Sequence, residues 1–85
     1  TIQEIQVTAT ARTHHVYNGG RRAVVPVLEV EGAAASVLLV YGTTSRALST
    51  GIYQVPDLLL TPGAHEIQVS GSGLLRISYR EAVLE

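Results

Sequence analysis

The sequence predicts an all-β chain, a small antiparallel β-sandwich of about seven to eight short strands. Three observations carry that prediction. Apolar residues alternate with polar ones almost throughout. Clusters of Gly, Pro, Asn and Ser punctuate the alternation. No apolar stretch recurs at helical spacing. A small closed barrel meets the same pattern and is the rival architecture, because closure also removes sheet edges. The 85 residues suit a single domain over 1–85 with a thin core.

The elements follow in order. Ile5, Val7, Ala9 and Ala11 alternate with Gln6, Thr8, Thr10 and Arg12, so the first strand turns one face inward. Tyr17-Asn18-Gly19-Gly20 reads as a tight Asn-Gly reversal, which needs positive φ angles. Val25 to Glu31 reads as a strand with Leu28 and Val30 inward and Glu29 and Glu31 outward. Pro26 cannot donate a ladder hydrogen bond and belongs at a strand start or an edge. Gly32 and three alanines form the only helix-favouring stretch, which is too short to propagate alone. Val37 to Tyr41 is the next strand, ended by Gly42. A short strand over Arg46 to Leu48 precedes the Ser49-Thr50-Gly51 turn. Tyr53 to Leu60 leads to Thr61-Pro62-Gly63, where proline presets one turn position and glycine supplies the next. A strand over Glu66 to Val69, a turn at Ser70-Gly71-Ser72-Gly73 and a last strand with Leu75, Ile77 and Tyr79 on one face complete the reading.

Composition removes several function classes. The chain is 46% hydrophobic and 15% charged, too apolar for disorder. Its net charge of −1 argues against a nucleic-acid partner held by phosphate neutralisation. No cysteine is present, so disulfides, thiol nucleophiles and cysteine-type zinc sites are excluded. Apolar runs of four or five residues cannot span a membrane as helices, and no signal-peptide pattern opens the chain. All basic residues are arginine, a usage that points to a GC-rich coding sequence. Thr1 commonly follows a removed initiator methionine, which fits a complete small gene product; an excised domain fits as well.

Candidate chemistry is sparse. Adjacent His14 and His15 point to opposite faces of a strand and cannot jointly grip a metal. His65 follows the Pro-Gly turn as an ordinary polar residue. Glu29 and Glu31 share a face at i and i+2, a spacing compatible with paired acids, yet outward carboxylates on a strand are ordinarily solvated. No nucleophile elbow occurs, and the Ser-Gly repeat lacks the helix or lysine of a phosphate cradle. No catalytic residue, metal or cofactor is therefore expected.

The second half of the chain carries a resemblance. Pro56-Asp57-Leu58-Leu59-Leu60-Thr61-Pro62-Gly63, the polar strand to Val69, the glycine turn and the closing Ile77-Ser78-Tyr79-Arg80 resemble the galectin-like (jelly-roll-like) β-sandwich of tail proteins in long-tailed phages. The carboxy-terminal domain of the distal tail protein is a sandwich of this type that the chain resembles. The Asn18-Gly19-Gly20 turn and Val25-Pro26-Val27 are similar to that family's opening hairpin and its proline-led second strand. The resemblance implies a non-enzymatic virion component of the tail or tail tip, made in the bacterial cytoplasm. It departs from the family in lacking the ring-forming belt domain and the Trp near the last strand's end, so ring formation does not carry over.

Independently, Val37-Leu38-Leu39-Val40, Leu58-Leu59-Leu60 and Leu74-Leu75 are apolar on both parities, so some of these side chains must face away from the core. Leu38, Val40, Leu59 and Leu74 are the candidates for an apolar interface, with Arg21 and Arg22 as rim cations. The expected partners are other tail proteins and copies of the chain itself. Cover from the chain's own loops is the competing explanation. Host surface polysaccharide is the alternative ligand, with Tyr17 and Tyr53 as stacking platforms, and capsid decoration is a third role.

Overall fold

Two long strands organise this chain, and the computed structural model, which describes residues 2–80, shows what they hold. The elements are β1 (Ile2–Val7), β2 (Arg12–Asn18), β3 (Val27–Tyr41), β4 (Thr44–Ser49), β5 (Gly51–Tyr53) and β6 (Gly63–Ser78). Every pairing is antiparallel, and all six strands belong to one sheet. β3 and β6 pair along nearly their whole lengths. On the far side of β6, β1 lines its second half and β2 its first half. On the far side of β3, β5 lines the first half and β4 the second.

The sheet is thus four strands wide in each half, and its halves join through the middle of β3 and β6. A straight strand of 16 residues would measure about 50 Å at ~3.3 Å per residue, whereas the longest dimension of the whole molecule is 41 Å. β6 therefore bends or coils rather than running straight.

The join has an unusual register. Between Glu31↔Leu74 and Ser36↔Ser72, five steps along β3 face two steps along β6. The odd excess inverts the inward parity of β3: Leu28 and Val30 are buried before it, and Ala35, Val37 and Leu39 after it. β1 and β2 show the same device on the other side. From Val7↔Gly73 to Arg12↔Val69, five steps face four, so Ile5 and Val7 are buried in β1 but Val16 and Asn18 in β2. β6 alone keeps one parity, burying Ile67, Val69, Leu75 and Ile77.

Glycine makes the close crossing possible. Gly71 has φ +123°, and a Cβ there would lie 1.9 Å from the Ser36 carbonyl oxygen, which no side chain tolerates.

The sheet's apolar face is roofed by two irregular segments, 19–26 and 54–62. They contribute buried Pro26, Val55, Leu58 and Leu60 to the core. Val24 and Leu60 exchange backbone hydrogen bonds of 3.0 and 2.8 Å. The buried Asn18 amide fastens both segments: its nitrogen donates to the Arg22 and Leu60 carbonyls at 2.8 and 2.9 Å, and its oxygen accepts from the Gly20 N–H at 2.9 Å.

Several sequence expectations are corrected. The described residues form six strands, not seven or eight, because a presumed turn and a helix-favouring stretch, both read as separating strands, lie inside strands. Gly32 to Ala35 is the irregular middle of β3, and Ser70 to Gly73 is the middle of β6, where strand pairing continues on both flanks. Ala9 and Ala11 are exposed between β1 and β2 rather than inward on one strand. Asn18 and Gly19 adopt no positive φ; the asparagine fastens the roof instead of turning a hairpin. Residues 54–59 form no strand.

Two variants test the crossing. Gly71→Ala is expected to cost more than about 3 kcal/mol or to prevent folding, since backbone must move. Gly63→Ala, at φ +118° but with open space around it, is expected to cost only about 1–2 kcal/mol of backbone strain. Urea unfolding of both proteins reads the contrast; equal losses would mean that conformational strain alone, and not the crossing, sets the requirement at Gly71. Asn18→Ala is expected to lower stability by about 2 kcal/mol by the same measurement, because the buried Leu60 carbonyl and the part-buried Arg22 carbonyl each lose a donor.

Candidate docking surface

The outer face of the sheet holds the side chains that the core does not. In the half built by β1, β6, β3 and β5, the lateral pairs Glu4↔Arg76 and Glu29↔Arg76 place one guanidinium between carboxylates on both neighbouring strands. Arg76 donates through Nε and Nη2 to Glu4 Oε2 at 2.9 and 2.7 Å, and through Nη1 to Glu29 at 3.0 Å and Glu31 at 2.6 Å. The hydrogen bond to Glu4 first, then those to Glu31 and Glu29, hold the guanidinium still more firmly in its charged form, against a small opposing effect of burial. Three carboxylates on one cation leave this half of the face net negative. Ile2 and Ile52, 67% and 71% exposed, lie on its two edges.

In the half built by β2, β6, β3 and β4, the outer face sets a small apolar spot on β3 and β4 among polar side chains. Leu38 is 44% exposed and pairs laterally with Ala47 on β4 and Ser70 on β6; Val40, half-buried, pairs with Ser45 and Gln68. Further across, exposed His15 approaches Glu66 at 3.1 Å, an exposed contact of little energetic weight.

The predicted interface residues therefore separate into distinct places. Leu38 and Val40 are neighbours on β3. Leu74 is half-buried on β6, laterally opposite Glu31 beside the Arg76 cluster. Leu59 stands 43% exposed on the roof segment, the outward member of a run whose Leu58 and Leu60 are buried. Arg21 and Arg22 lie on the exposed loop after β2, where the Arg22 carbonyl accepts from Asn18. No single patch gathers all six.

The tyrosines also divide. Tyr17 is 63% exposed on the outer face, while its carbonyl accepts a hydrogen bond from the Tyr79 hydroxyl. Tyr53 turns inward beside Leu28, packs against the core and donates its hydroxyl to the Ser49 carbonyl at 2.8 Å. Of the two predicted platforms, Tyr17 has the more open ring.

The histidines are placed by ordinary packing. His14 and His15 point to opposite sides of β2. His65 lies between the Tyr41 hydroxyl, 2.9 Å from Nδ1, and the Thr61 carbonyl, which accepts from Nε2 at 2.6 Å. Among the described residues no three His, Asp or Glu side chains converge as metal ligands.

Sequence reasoning missed the Arg76 cluster, although a signal existed. Glu29 and Glu31 were legible as outward carboxylates and Arg76 as an outward cation; only the register that makes them neighbours was missing.

Compared with known proteins, the chain matches no protein family, and no curated protein or solved structure is significantly similar to it.

Replacing Arg76 by Gln is expected to destabilise the fold most at neutral pH and low salt, where three like charges would lose their cation. The gap from the parent should narrow in strong acid, where carboxylates are neutral, or as salt rises. Denaturation across a pH and salt grid reads this; a gap independent of both would show that Arg76 acts through packing of its stem.

Proposed function

We propose that this chain is a non-enzymatic structural component of a phage virion, a tail or tail-tip protein that assembles through apolar surface carried on rigid strands. One observation carries the reading: well-paired strands and a fastened roof segment hold Leu38, Val40 and Leu59 at the surface, although the chain has buried sites for their neighbours Leu39, Leu58 and Leu60. Leucine held outward on an ordered backbone suits a preformed surface awaiting a partner. The resemblance of the Pro56–Gly63 and Ile77–Arg80 segments to tail-protein sandwiches supplies the virion context. On this reading the bent sheet is a small galectin-like sandwich, with the β1-β6-β3-β5 half and the β2-β6-β3-β4 half as its two layers. In support, both long strands are irregular at mid-length, and residues of both halves share one core.

Docking of this kind needs no chemistry beyond burial, at ~25 cal/mol per Å2 of apolar area removed from water, less the entropy of association. The open ring of Tyr17 favours a second reading, in which the outer face of β2 stacks against host polysaccharide.

Immunoblotting of purified phage particles from the encoding host tests the proposal. Protein present in fixed ratio to tail proteins is expected; protein found only in the cell lysate overturns it. Leu59→Glu and Leu38→Glu should each leave the circular dichroism spectrum unchanged and reduce incorporation. Unfolding on either substitution would place that leucine in the core and remove the argument. Polysaccharide binding lost on Tyr17→Ala, with incorporation unaffected, would support the second reading.

A further inference from the structure

We infer that two copies of this chain pair edge to edge through β4, antiparallel about a two-fold axis at Ala47, extending the sheet across both molecules. The inference rests on the edge itself and does not require a virion role.

β4 is the last strand on its side of the sheet, and none of the described strands pairs with its outer side. Tyr41↔Thr44 close the two-residue β3–β4 hairpin, and the closing pair of such a hairpin is hydrogen-bonded. Alternation then directs the N–H and C=O of Thr44, Arg46 and Leu48 toward β3, and those of Ser45, Ala47 and Ser49 toward the open side. The side-chain contacts agree: the Ser45 carbonyl accepts from Arg46 Nη1 at 3.1 Å and the Ser49 carbonyl from the Tyr53 hydroxyl at 2.8 Å. Each carbonyl keeps a second lone pair.

Unpaired strand edges invite pairing, and proteins ordinarily guard them with charge, proline, bulges or short length. The opposite side of this sheet is guarded in that way: β1 and β2 are separated by an extra residue, and they carry Glu4, Arg12, His14 and His15. β5 is only three residues long. β4 has neither proline nor bulge, and its outward side chains are Ser45, Ala47 and Ser49, all exposed and small. Its single charge, Arg46, belongs to the opposite parity and is paired with Asp57.

The occupant follows from self-complementarity. Ser45-Arg46-Ala47-Leu48-Ser49 is symmetric about Ala47 at its open positions. Antiparallel pairing at Ala47 sets Ala47 against its own copy and Ser45 against Ser49 of the other chain, with six backbone hydrogen bonds available. Arg46 falls opposite Leu48, so no like charges are directly opposed. The lateral pair Leu38↔Ala47 continues across the axis as Leu38–Ala47–Ala47–Leu38, an apolar row built from both molecules. A two-fold contact of this type closes on itself and gives a dimer rather than a filament.

The test uses the intact chain in analytical ultracentrifugation. The parent should sediment at twice the monomer's 9.0 kDa. Ala47→Lys, which sets like charges against each other at the axis, and Ala47→Pro, which removes the central donor without touching the β3 ladder, should both sediment as monomers. Because the sequence has no cysteine, Ala47→Cys gives a unique thiol, and a short bis-maleimide should link two copies through it. Ser72→Cys, exposed on β6 away from the edge, should not be linked. A monomeric parent overturns the inference whatever the particle blots show. So does a dimer that survives Ala47→Lys, or one cross-linked equally at both cysteine positions. Should either Ala47 substitution fail to fold by circular dichroism, the cysteine pair decides the matter.

Discussion

Everything else in this protein depends on the close passage of β3 and β6 at mid-length. Two long antiparallel strands would ordinarily keep one parity from end to end and commit one row of each to the core. Here the strands beside β6 carry odd excesses, three residues in β3 and one between β1 and β2, so their buried rows change parity while β6's does not. The passage is possible because Gly71 brings bare backbone against the Ser36 carbonyl and Gly73 brings it against Glu31 and Ala35. From it follow the burial of both halves in one cluster, the outward placement of Glu29 and Glu31, and the outward placement of Leu38 and Val40.

The surface inherits its division from the same point. Before the excess, outward positions of β3 are glutamates matched to Arg76; after it, they are Ser36, Leu38 and Val40. One half of the outer face is an ionic cluster with net negative charge, and the other sets Leu38, Val40 and Ala47 among polar side chains. Charge repels unselected neighbours and burial rewards selected ones, so the two halves differ in what they can accept.

Much of this was legible from residue alternation. Leu28 and Val30 inward, Glu29 and Glu31 outward, and the last strand's Leu75 and Ile77 all follow from period two; Leu59 is the outward leucine of its run for another reason, since residues 54–59 form no strand. What alternation could not supply was whether Gly32-Ala33-Ala34-Ala35 and Ser70-Gly71-Ser72-Gly73 interrupt strands or lie within them. Glycine serves a turn and a close crossing equally well, and only the partner strand distinguishes the two. Asn18 hid its role for a similar reason: Asn-Gly favours a hairpin locally, but a buried carboxamide between Arg22 and Leu60 satisfies more polar groups. The Arg76 cluster and the open side of β4 depend on register, which no single strand encodes.

The place of β6 in the chain has a consequence for biosynthesis. The strand that β1, β2 and β3 all require is made of residues 63–78, which leave the ribosome after all three. Until it emerges, only the local pairings of β3 with β4 and β5 are available, and both amino-terminal strands wait without a template. The sheet therefore cannot close until residues 63–78 have emerged. Its slow step is the arrival of one distant segment into a gap between elements already made.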